Sequence, residues 1–233
     1  MIVLGIDTAT TATVAGVLDG SGTVTEVRDD PEPGVRPAHA NRLLGGAEEA
    51  LERAGLGWDE VERIAVGVGP GSFTGLRIGI ATARALAQAR GLPLVGVSSL
   101  EALALGAGDA ELVLAVLDAR RGEAFAAAYG PTLDQRSDPW SRVALLAPAA
   151  LSPAALAEQV AALQGTALAV GDGAVRFRGP LEAAGALVPP DDDGIHRLRA
   201  EPVCRLGAAR TPTDRDELLP DYLREPDAVP RQR

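Results

Sequence analysis

The chain has 233 residues, 46% hydrophobic but only 3% aromatic, so its core is built from Ala, Leu and Val, enough for one large domain or two small lobes. All 22 basic residues are arginine against 32 acidic ones, and the net charge of −10 excludes autonomous nucleic-acid binding through a basic footprint, though not action in a complex whose partner supplies the positive surface. The single cysteine, Cys204, excludes an internal disulfide and a cysteine metal cluster; with no basic leader and no apolar run long enough for a membrane span, the expected location is the cytoplasm.

The first strand, residues 2–6, runs into Asp7-Thr8, and a second, Thr13–Leu18, closes at Asp19-Gly20. This hairpin carries a carboxylate and hydroxyls at its tip. Such a tip suits a metal–phosphate, and equally a polar turn whose Asp and Thr bond their own backbone. A third strand and an acidic loop fill residues 21–38. A helix is expected from His39 to Ala54, stopped by Gly55. Its apolar residues Leu43, Ala47, Ala50, Leu51 and Ala54 share one face. Gly45-Gly46 inside it costs about 1 kcal/mol per glycine relative to alanine, which suggests close approach of another element.

Residues 67–79 read GVGPGSFTGLRIG. An apolar strand feeds the tight turn Gly69–Gly75, and an Ala/Leu/Arg-rich helix follows from Leu76 to Arg90. Ser72 or Thr74 can cap that helix. A helix start with free N–H groups is a natural anion site, but a capped strand-to-helix turn explains the same residues. It is not a Walker A loop, because the chain contains no lysine. Another strand, Leu94–Val97, and a short helix, Leu100–Leu105, come next.

Gly106–Asp109 marks the boundary between an N-terminal lobe, 1–107, and a C-terminal lobe, 108–233, whose segment 216–225 has enough apolar content to pack back on the body. Val113–Tyr129 repeats the plan of residues 2–18, strand, Asp118 at a polar turn, strand, which suggests a duplicated α/β unit with mixed sheets. Residues 131–142 read as a polar loop. Ser152-Pro153 opens a helix over 154–163. Thr166–Val170 reads as a strand running into the glycine turn Gly171–Ala174. Asp191-Asp192-Asp193 lacks the spacing of a calcium loop and reads as solvated.

No nucleophile elbow is present, since the second glycine after Ser72 comes one position late. The two histidines are His39 and His196. Leu43 stands four residues after His39, which removes a helical His pair for a metal. His196, among arginines, reads as exposed. Asp7 and Asp118 could together hold a divalent cation if both tips face one cleft.

Ile6-Asp7-Thr8, the helix from His39, the GPGSFTGLRIG core, Val95–Leu103, Leu117–Glu123 and Pro220-Asp221-Tyr222-Leu223-Arg224 together resemble the bacterial TsaB (YeaZ) family, strongly over residues 1–130 and again at 220–224. The resemblance implies an actin/Hsp70-like (ASKHA) α/β fold of two ribonuclease-H-like lobes, mixed sheets flanked by helices. It implies a part in making N6-threonylcarbamoyladenosine at position 37 of tRNAs that read codons starting with A, as a non-catalytic scaffold for the related subunit TsaD, with the ATPase TsaE joining the pair and tRNA reached only through the complex. It implies no firm cofactor of this chain's own, ATP entering chiefly through partners. Relatives of the TsaD type carry an H-x-x-x-H metal pair where this chain has His39 and Leu43.

The same resemblance places the partner surface, for TsaD or for a second copy of this chain, on the helices 39–54 and 75–90, through His39, Leu43, Leu44, Ala47, Leu76, Arg77, Ile80 and Arg84. A nucleotide cleft, vestigial or shared with a partner, would use Asp7, Thr8, Gly69, Gly71, Ser72, Thr74 and Gly75. The alternative is an ASKHA-type ATP-dependent enzyme acting alone, with Gly171–Ala174 completing its site; a metalloprotease comes third.

Overall fold

A computed structural model describes residues 1–32, 34–132 and 141–224. The first lobe is a five-stranded sheet ordered β3-β2-β1-β4-β5. Its strands are β1 (Val3–Asp7), β2 (Thr13–Leu18), β3 (Val24–Asp29), β4 (Arg63–Gly69) and β5 (Leu94–Ser98). β1 to β3 form an antiparallel meander, while β4 and β5 join β1 in parallel. The parallel joins need crossovers, which α1 (His39–Arg53) and α2 (Phe73–Arg90) supply.

The second lobe repeats this order as β8-β7-β6-β9. β6 (Val113–Arg120), β7 (Glu123–Pro131), β8 (Arg142–Leu151) and β9 (Leu168–Val170) occupy the places of β1 to β4. β6 pairs antiparallel with β7 and parallel with β9, as β1 does with β2 and β4. Leu187 adds a parallel bridge outside β9, where β5 lies in the first lobe. The duplicated α/β architecture is therefore the observed one, with Asp118 on β6 equivalent to Asp7 on β1.

Side chains alternate across each strand, and both faces of the central strands of both sheets are buried, while the edge strands β3 and β8 are partly exposed. On the outer face of the first sheet, Leu4, Ile6, Val17 and Val66 pack against Leu43, Ala47, Ile80 and Ala83 of α1 and α2. On its inner face, Val3, Ala65, Val95 and Val97 meet α3 (Ser99–Leu105) and α7 (Ala200–Ala209). The other side of α3, through Leu100, Leu103 and Ala104, packs on Val113, Ala115, Leu117 and Phe125 of the second sheet. The outer face of that sheet is covered by α4 (Pro153–Ala162), α5 (Asp172–Arg176) and α6 (Arg178–Ala183). Five layers result: helices, sheet, helices, sheet, helices.

Several local readings change. α2 begins at Phe73, three residues before the expected start, because Ser72 accepts from the Gly75 N–H and fixes the first turn there. Gly171–Ala174 is not a bare turn but opens α5. Part of the loop expected over 131–142 is strand: β7 runs to Pro131 and β8 starts at Arg142, while residues 133–140 lie outside the described residues. α7, from the second half of the chain, covers the first sheet, anchored by Arg63, whose guanidinium donates to the carbonyls of Gly207, Ala208 and Arg210 at its C-terminal end.

Candidate interface and interlobe cleft

The glycine-rich loop lies at the C-terminal ends of β1 and β4, where ligands of parallel α/β sheets ordinarily sit. Here the loop is engaged with its own chain. The Thr8 hydroxyl donates to the Gly75 carbonyl at 2.8 Å, and the Ser72 N–H donates to the Ala9 carbonyl at 2.7 Å. A Cβ on Gly75 would fall 2.1 Å from the Thr8 carbonyl oxygen, and one on Gly71 would fall 2.4 Å from that of Ala9. These glycines admit the backbone of residues 8 and 9. The groups that would cradle a phosphate are partly spent, since the Ser72 N–H is bonded to Ala9 and the Gly75 N–H to Ser72. Of the residues expected to hold a nucleotide, Asp7, Thr8, Gly71, Ser72 and Gly75 meet at this junction. Gly69 backs onto Leu76, and Thr74 is exposed on the cleft.

Asp7 is buried. Its carboxylate accepts from the Ala9 N–H at 2.7 Å and the Ser99 hydroxyl at 2.7 Å. Burial outweighs both bonds and pushes its pKa up from 3.8 to about 6. Asp118 is differently placed. Its Oδ2 receives Arg176 at 2.8 Å and Arg120 at 3.2 Å, so two guanidinium groups already neutralise it. Its N–H donates to Asp172 Oδ1 at 3.0 Å, and burial raises the Asp172 carboxyl above the usual range. Asp172 belongs to the Gly171–Ala174 turn and Arg120 to the Leu117–Glu123 turn of the sequence analysis, whereas Arg176 carries no signal there. Among the described residues no group of three or more His, Cys, Asp and Glu is placed to hold a metal ion.

A cleft of about 530 Å³ separates the lobes, with Thr10, Thr11 and Ser72–Thr74 on one wall and Asp118, Arg120 and Asp172 on the other. His196, expected to be exposed, is buried instead. Its Nδ1 accepts from the Gly171 N–H at 3.2 Å and its Nε2 faces the Pro189 carbonyl at 3.2 Å, so the ring ties two loops together.

α1 and α2 divide the expected interface residues by helical phase. Leu43, Ala47, Leu76 and Ile80 are buried against their own sheet and cannot reach a partner while the lobe is folded. The reason is the 3.6-residue period, which turns these positions inward together. His39 is buried too; Nδ1 lies 2.9 Å from the Thr13 hydroxyl, Nε2 has no hydrogen-bond partner among the described residues, and burial lowers its pKa. Three residues face outward: Leu44, 45% exposed, with Arg77 and Arg84 on α2. Arg77 lies over the Phe73 ring at 3.9 Å, and Arg84 pairs with Asp216 at 2.9 Å. Exposed Phe73, four residues before Arg77, extends this face and was not singled out.

The model of one protein family, described as TsaD, tRNA N6-adenosine threonylcarbamoyltransferase, matches residues 29–181. The chain is 38% identical over 132 residues to the tRNA threonylcarbamoyladenosine biosynthesis protein TsaB of Escherichia coli, a match covering 55% of this chain and 55% of that one. It thus spans about half the length of the curated relatives it matches. Among solved structures it is similar to YeaZ from Pseudomonas aeruginosa, with a TM-score of 0.75 and 26% identity over 95% of this chain and 99% of that chain. The ethanolamine utilization protein EutJ from Carboxydothermus hydrogenoformans shares the fold, with a TM-score of 0.51 and 14% identity over 89% of this chain and 90% of that one.

Proposed function

Because this chain belongs to the TsaD family, as one of its TsaB (YeaZ) members, we propose that it is a non-catalytic scaffold in the formation of N6-threonylcarbamoyladenosine on tRNA. In this reading it works in the cytoplasm by binding a TsaD-type subunit and, with it, a TsaE-type ATPase, and it meets tRNA only in that assembly. The observation that carries the reading is the pair of positions 39 and 43. The residue one turn after His39 is a leucine, 2% exposed and locked in the core, so the helix offers one imidazole where a metal-binding helix offers two. The glycine loop, filled by residues 8 and 9, supports the same conclusion.

The partner surface is the outward face of α1 and α2, centred on Leu44, Arg77 and Arg84. Leu43, Ala47, Leu76 and Ile80 shape it from beneath. The partner is the TsaD-type homologue, with a second copy of this chain as the competing occupant.

Reconstitution tests the reading. TsaD, TsaE and the enzyme that forms the threonylcarbamoyl-adenylate should modify tRNA only when this chain is added, and this chain alone should neither modify tRNA nor turn over ATP. Full activity of the mixture without it would overturn the scaffold role. ATP turnover by the chain alone would instead favour an ASKHA-type enzyme using the interlobe cleft.

A further inference from the structure

The motif Pro220–Arg224 has no part in the scaffold reading, yet it is tied to the body at several points. Segment 213–224 starts at the edge of the first sheet, where the Thr213 N–H donates to the Leu94 carbonyl at 2.8 Å. Leu218 then plugs into the core beside Val68, over Gly96, where any Cβ would fall 2.7 Å from Leu218 Cδ1. The Asp221 N–H donates to the Val68 carbonyl at 2.7 Å. Tyr222 stacks on Phe73 with ring centroids 5.2 Å apart, and its hydroxyl accepts from Arg77 Nε at 3.0 Å. Up to this point these hydrogen bonds and the ring stack are with the first lobe.

The next two residues cross over. Leu223 packs into the apolar cluster of Leu117 and Phe125 in the second lobe. Arg224 donates to Glu123 Oε2 at 2.9 Å, beside the turn at the tip of the β6–β7 hairpin. Asp221 to Arg224 all line the interlobe cleft. The lobes are also joined through α3, which packs on both sheets, and through the chain from His196, bonded to Gly171, to Leu198 and Ala200, which meet Arg28 and Glu26 of the first sheet. A tie across the open side of the cleft limits hinge motion about those connections.

We propose that segment 213–224 is a strap that latches the two lobes together, with Tyr222 and Leu223 as its two anchors on opposite sides of the cleft. The lobes then move as one body, and α1 and α2 keep a fixed orientation to the second lobe. Each anchor has a distinct chemistry. Tyr222 relies on stacking plus a hydroxyl bond, whereas Leu223 and Arg224 combine apolar burial with an ion pair.

Spin labels on Glu48→Cys in α1 and Glu158→Cys in α4 report the interlobe distance, because both positions are exposed and Cys204 is buried. The otherwise unmodified chain should give one narrow distance distribution, and Tyr222→Phe, which keeps the stack, should give the same. Tyr222→Ala with Arg224→Ala should at least double its width or add a second, longer population. Glu123→Ala, altering the latch from the other lobe, should broaden it too and guards against a folding defect in the first variant. Equal narrow distributions in all variants, or a broad one before any strap substitution, would overturn the proposal.

Discussion

Thr8 and Gly75 hold each other from both directions: the Thr8 hydroxyl donates to the Gly75 carbonyl at 2.8 Å, and the Thr8 carbonyl occupies the space where a Cβ of residue 75 would stand, 2.1 Å away. The glycine-rich loop is thereby a socket for the end of β1, and its demands can be measured as stability.

Gly75→Ala should destabilise the chain by about 3 kcal/mol, the scale of an overpacked site whose opposing atom is backbone and cannot rotate away. Gly45→Ala in α1 has nothing within 4 Å of its new methyl and lies mid-helix, so it should stabilise by up to about 1 kcal/mol. Urea unfolding of the two variants should therefore move in opposite directions. A neutral Gly75→Ala would mean that the socket is looser than its geometry.

Asp7 and His39 impose opposite pH dependences. The Asp7 carboxyl titrates at about 6 folded and near 3.8 unfolded, so between these values the folded chain holds the extra proton. Its stabilising contribution is full below pH 3.8 and is lost as pH rises through about 6. At roughly 1.36 kcal/mol per pKa unit the swing is on the order of 3 kcal/mol. Asp7→Asn should abolish it, so the variant's stability relative to the parent should climb between pH 4 and pH 7. A constant difference would contradict the burial of an ionisable group there.

His39 works the other way. Burial depresses its pKa from 6.5, so its contribution is full above pH 6.5 and is lost as pH falls below that value. His39→Gln should flatten the acid limb of the stability profile, measured as denaturation midpoints from pH 7 to pH 5. An unchanged limb would show that His39 does not titrate differently in the folded chain.

Leu43 and Leu44 are neighbours in sequence and opposites in consequence. Leu43→Ala should cost about 2–5 kcal/mol by opening a cavity under α1. Leu44→Glu should leave the melting temperature nearly unchanged and weaken co-elution with the TsaD-type partner. A Leu44→Glu chain that still co-elutes fully would remove α1 from the interface.

The two lobes were legible because the strand–Asp–turn–strand pattern recurs at Asp7 and Asp118, and α2 because Ser72 and the glycines before it punctuate the chain. What stayed hidden depended on distance. Helical phase collects Leu43, Ala47, Leu76 and Ile80 on common faces but does not say whether such a face meets the chain's own sheet or another molecule. α7 starts after Arg199 with no capping side chain, so its start lacks the Ser, Thr, Asp or Asn signal of a helix N-terminus. β8 is apolar without clean alternation. His196 sits among arginines, and only the approach of Gly171 and Pro189 buries it.

The placement of α7 against the first sheet ties the order of synthesis to the order of folding. A ribosome that has released residues 1–107 has made every strand of that sheet, yet Val3, Ala65 and Val95 still await Val203, Cys204 and Leu206. The first half of the chain must keep an apolar face uncovered until residue 209 has emerged, and such a face is sticky. Nascent chains stalled before Ala200 should therefore be captured by holdase chaperones and cut readily by protease, whereas chains extended past Leu218 should resist both.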